Sequence, residues 1–89
     1  MTTQDSHSTL SLEEDILMVL TRDVTRTLSA PELAQAIAAE SDWRSLLMPI
    51  RRAAVALAQS GRLVIYRKGK PVDPLDFGGV YRVGLPRQD

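Results

Sequence analysis

The chain has 89 residues, 44% hydrophobic but only 4% aromatic, with no cysteine and a formal net charge of zero. One compact core is possible at this length, and it must be aliphatic, built from Leu, Ile, Val and Ala on helix faces. The lack of cysteine excludes a disulfide framework and thiolate metal sites. It fits a reducing cytosol; no apolar run approaches the roughly 20 residues of a membrane span, and the opening MTTQDSHSTL lacks the regions of a signal peptide, so a soluble, cytoplasmic protein is expected.

Residues 1–8 are small and polar and are expected to form a flexible tail, with His7 in it too isolated for catalysis or ligation. Ser11 and Glu14 have capping-box spacing, so a first helix is expected from Leu12 to about Arg22. Leu12, Ile16, Val19 and Leu20 would face inward, and Glu13, Glu14 and Asp15 would sit in the first turn. Thr25 to Leu28 favours a short strand. Ser29 and Glu32 form a second capping box, with Pro31 in the first turn of a helix from Ala30 to about Ala39. Its buried stripe is Leu33, Ala34, Ile37 and Ala38.

Pro49 would clash inside a helix that began at Trp43, so Asp42 to Leu47 reads as a turn or single coil capped by Ser41 or Asp42. The long helix then runs from Pro49 to Ser60, with Gly61 as its left-handed stop. At about 100° per residue Ile50, Ala53, Ala54 and Leu57 cluster inward, while Arg52, Val55, Ala56 and Gln59 point away and Arg51 lies on the flank. Arg62 to Arg67 alternates as a half-buried strand with Leu63 and Ile65 inside. Lys68 to Pro74 reads as an exposed turning loop, its prolines and glycine barring continuation of a ladder, and Val80 to Leu85 as the returning strand.

This order gives an α+β fold: three main helices and a small antiparallel sheet made of one short strand and a two-stranded wing. A winged helix-turn-helix is expected over residues 9–86, with residues 87–89 expected to be frayed. SAPELAQAI, DWRSLLMPIRRAAVALAQSGRLVIYRKG and KPVDP resemble a small bacterial family of winged-helix proteins catalogued only as a domain of unknown function. RRAAVALAQSGRLV is similar to the recognition helix and first wing strand of many bacterial winged-helix regulators. The resemblance implies the architecture and leaves function to the residues.

Charge is unevenly distributed. Residues 1–42 hold two basic side chains against eight acidic ones, net −6; residues 43–89 hold nine against three, net +6. The basic half contains the long helix and the wing, which points to an anionic partner. The expected partner is double-stranded DNA, met by Arg51 and Arg52 at the start of the helix, by Arg44 in the preceding turn, and by Arg67, Lys68 and Lys70 on the wing. Zero net charge and a pI of about 6.6 argue against an independent nucleic-acid binder. The alternative is therefore a protein-interaction module that uses the wing or Trp43, on another protein or on a second copy of itself. No catalytic set, phosphate loop or metal-ligand spacing is present, so no enzyme activity, cofactor, metal or small-molecule ligand is indicated.

Overall fold

The computed structural model describes residues 9–38 and 42–86. The expected tail at 1–8 with His7, the proposed cap Ser41 and the expected frayed end at 87–89 lie outside them. Three α-helices and four short strands follow in the order α1 (Thr9–Thr21), β1 (Leu28–Ser29), α2 (Ala30–Ala38), a 3-10 coil (Trp43–Leu46), α3 (Leu47–Gln59), β2 (Val64–Arg67), β3 (Lys70–Pro71) and β4 (Arg82–Gly84). The arrangement is compatible with a winged helix.

In α1, Leu12, Ile16, Val19 and Leu20 are buried on one face, as their i, i+4, i+7, i+8 spacing requires. The helix begins at Thr9, two residues before Ser11, so Ser11 stands inside the coil and Glu13, Glu14 and Asp15 fall in the second turn instead of the first. Capping signals place a boundary only to within a residue or two. The exit is held by the Thr21 hydroxyl, which donates to Met18 O at 2.7 Å. Asp23 then accepts from both the amide and the hydroxyl of Thr25, at 3.1 and 2.6 Å, shaping the turn before β1. Thr25 is thus in a turn, and the strand falls later, at Leu28–Ser29.

The second capping box is present as spaced. Ser29 N–H donates to Glu32 Oε1 at 2.8 Å and Glu32 N–H to Ser29 Oγ at 3.3 Å, starting α2 at Ala30. Leu33 and Ala34 are fully buried, with Ile37 and Ala38 half-buried beside them.

The segment before Pro49 is a single coil, as expected, but it runs on into the helix without a break. The 3-10 coil passes into α3 through helical dihedrals at Leu46 and Leu47, so α3 starts two residues before Pro49. Pro49 is then third in the helix, where no intrahelical acceptor waits for an amide. Asp42 makes no side-chain cap; its carbonyl accepts from the Ser45 amide and hydroxyl instead. The inward face of α3 is Ile50, Ala53, Ala54 and Leu57, and the alanines let α1 and α2 approach closely. Gly61, at φ +80°, ends the helix in a Schellman motif, with Arg62 N–H on Leu57 O at 2.8 Å and Gly61 N–H on Ala58 O at 3.1 Å.

The sheet is antiparallel in the order β1-β4-β2-β3. It has one strand more than expected, because Lys70–Pro71 pairs with β2 instead of lying in an open loop. Lys68 and Gly69, both at positive φ, make a two-residue hairpin turn. Pro71 sits opposite Tyr66, and the next bonded position is filled by Val72 N–H on Ile65 O at 2.9 Å. Pro71 therefore occupies the non-hydrogen-bonded position of an edge strand, where its missing amide is not needed. β4 enters between β1 and β2, with Val83 opposite both Leu28 and Ile65. Leu63, Ile65, Tyr81 and Val83 face the helices and close the core.

Candidate nucleic-acid interface

Because β3 lies on one edge of β2 and β4 on the other, the chain between Val72 and Tyr81 must cross the sheet. Two arginines hold that crossing. Arg51, in the first turns of α3, donates from Nη2 to Phe77 O at 2.7 Å and lies 4.0 Å from the centre of the Phe77 ring and 5.7 Å from that of Tyr81. Arg67, the last residue of β2, donates from Nη1 to Gly78 O. Gly79, at φ +77°, lies against the same guanidinium, so that a Cβ there would come within 3.4 Å of it. Phe77 and Tyr81 meet edge to face at 5.3 Å, completing the packing under Arg51.

Adjacent carbonyls thus bring the start of α3 and the end of β2 to the same short piece of backbone. Arg52 is next to one clamp residue, and Lys68 is next to the other. Arg52, Lys68 and Lys70 are exposed, and their side chains make no hydrogen bond or ion pair with the described residues. Arg44 is also exposed, with its guanidinium 4.5 Å from the half-buried Trp43 ring; Trp43 itself packs against the core. The six sequence-selected cations therefore divide into four that face solvent and two, Arg51 and Arg67, committed to the loop. Arg67 is half-buried and its Nε has no hydrogen-bond partner.

Asp73, Glu32 and Asp23 are engaged locally. Asp73 accepts from Leu75 N–H at 2.9 Å. Glu32 bonds Ser29 and, at 3.3 Å, Arg82, whose Nε and Nη2 also bond Thr27 at 2.9 and 2.8 Å. The Ser29 amide, more than the Arg82 charge, holds the Glu32 carboxyl below its ordinary pKa. The Thr25 hydroxyl and amide do the same for Asp23. Burial pushes the Tyr81 phenol up, against the opposing pull of Arg51. Among the described residues no three His, Cys, Asp or Glu side chains stand close enough to share a metal ion, and no helix is long and apolar enough to cross a membrane.

Residues 9–86, all three helices and the whole sheet, match the family described as "Protein of unknown function (DUF3253)". The chain belongs to that family. No curated protein matches it. Within this DUF3253 chain the sequence reading missed Phe77 and Tyr81 as partners of Arg51. Their i, i+4 spacing resembles a helical one but falls in a glycine-containing loop, and only the crossing of the sheet turns both rings under the guanidinium.

Proposed function

We propose that the protein is a winged-helix module that associates with double-stranded DNA without catalysing a reaction. Arg44, Arg52, Lys68 and Lys70 meet phosphates, while Arg51 and Arg67 fix the wing relative to the helix. The carrying observation is that these four cations have no acidic partner among the described residues, although the first half of the chain is strongly acidic. Unpaired surface cations next to a helix N-terminal turn and a hairpin tip are the arrangement that neutralises a phosphate backbone. A salt titration of duplex binding tests this. Four contacts correspond to a slope of log affinity against log salt of roughly −4, at about −0.9 per phosphate, and Lys68→Ala should make it shallower by about 1. Absence of any complex with duplex DNA at about 50 mM salt would end the reading.

A second reading, a protein-interaction module, draws on Met48 and Val80, which are 61% and 81% exposed beside Arg51. Apolar side chains next to arginine are characteristic of protein contact surfaces. A module of that kind gives no duplex complex at any salt concentration.

A further inference from the structure

A groove of about 510 Å³ runs between the start of α2, the start of α3 and the crossing loop, with Pro31, Leu47, Met48, Val80 and Tyr81 among its walls and Arg51 as the only charged one of the described residues that line it. We infer that this groove binds a small organic monocarboxylate, with the apolar body against Met48 and Val80 and the carboxylate on Arg51. The volume is in the range of small-molecule sites, about 300–1,000 Å³, and apolar walls with one or two placed polar groups are their usual chemistry.

Three observations favour an apolar anion over other occupants. Arg51 commits one nitrogen to Phe77 O, and the rest of its fork has no acceptor among the described residues. Among the described residues no carboxylate lines the groove to neutralise it, the neighbouring Glu32 being bonded to Ser29 and Arg82. The Tyr81 ring, only 7% exposed and with its centre 5.7 Å from the Arg51 guanidinium, adds apolar surface to the wall beside that charge. A planar guanidinium fork also matches a carboxylate better than a neutral acceptor.

The wall formed by Gly79 and Val80 is positioned by the two arginines that grip Phe77 O and Gly78 O, so the groove depends on the loop being held. Its walls come from three separate segments, which is why no local motif announces it.

The experiment is an amide-resonance titration of the full chain with octanoate at pH 7, repeated with octylamine, which has the same apolar body and the opposite charge. Saturable shifts confined to residues 29–31, 47–51 and 79–81 are expected with octanoate and not with octylamine. Affinity should rise about fourfold per methylene from pentanoate to octanoate. Val80→Asp, at a solvent-exposed position that leaves the core intact, should weaken octanoate at least tenfold, and Lys68→Ala should leave it unchanged. No saturable shift, equal shifts with octylamine, unchanged binding by Val80→Asp, or loss in Lys68→Ala would each overturn the inference. DNA is absent from the titration, so its outcome is separate from that of duplex binding.

Discussion

Arg51 and Phe77, 26 positions apart, are joined twice: the guanidinium donates to the Phe77 carbonyl at 2.7 Å and lies 4.0 Å from the centre of its ring. The pair ties α3 to the loop that carries the chain into its last strand. A charged hydrogen bond contributes about 1.5–3 kcal/mol and a cation over a ring about 0.5–2, with overlap between them because one group serves both. Arg51→Ala should therefore destabilise the protein by about 2 kcal/mol in urea denaturation. Arg51→Lys should recover only part of this, since an ammonium cannot both stack on the ring and fork to the carbonyl. A cost below about 0.5 kcal/mol would show that the loop does not depend on this arginine.

Gly79→Ala meets two obstacles at once. The backbone is at φ +77°, which costs an L-residue roughly 1–2 kcal/mol, and the new methyl would sit 3.4 Å from the Arg67 guanidinium, where any further cost is that of loosening its bond to Gly78 O. The same change at Gly61, at φ +80° with open space around its Cβ, carries the backbone cost alone. Denaturation midpoints should therefore order as parent, Gly61→Ala, Gly79→Ala. Equal losses would mean that Arg67 yields freely.

Stability should fall in acid partly through Glu32. Its folded-state pKa lies below the ordinary 4.5, chiefly because the Ser29 amide bonds the ionised carboxylate. A depressed folded-state value means that the contribution is complete above the unfolded-state pKa and is lost as pH falls through the folded-state one. The group is well exposed, so the effect belongs to the cap and not to its surface ion pair with Arg82. Ser29→Ala should cost about 1 kcal/mol at neutral pH. Glu32→Gln should flatten the acid limb of a stability-against-pH curve, and an unchanged limb would remove Glu32 from it.

Ile16 is fully buried on the face of α1 that packs on α3. Ile16→Ala should cost about 2–5 kcal/mol, a large part of what a domain this small has, while Ile50→Val, with one methyl removed, should cost about 0.5–1.5. Thermal unfolding followed by circular dichroism would check the order. Near-equal losses would show that the cavity at Ile16 collapses.

Much of this molecule was legible before any coordinates. The aliphatic stripes of α1, α2 and α3 appear as spaced, because a helix has one period and the apolar residues obey it. The Ser29–Glu32 box and the Gly61 stop also hold, since each is a bond pattern closed within six residues. Local rules misplaced the start of α1 at Leu12, the start of α3 at Pro49 and the pairing of Pro71. In the last two a proline was read as a barrier, yet it stands where no amide is required.

Which cations remain available was beyond the sequence. Arg51 and Arg52, like Arg67 and Lys68, are adjacent cations of similar type, and a helical wheel separates only the first two, into flank and face. The sheet order β1-β4-β2-β3 forces residues 72–81 across the end of β2, bringing the Phe77 and Gly78 carbonyls to Arg51 and Arg67 and leaving Arg52 and Lys68 in water. Periodicity and capping chemistry are local and so were written in the chain itself. The division of its positive charge between scaffold and surface came from contacts between residues 11 to 26 positions apart, and tertiary packing alone decides those.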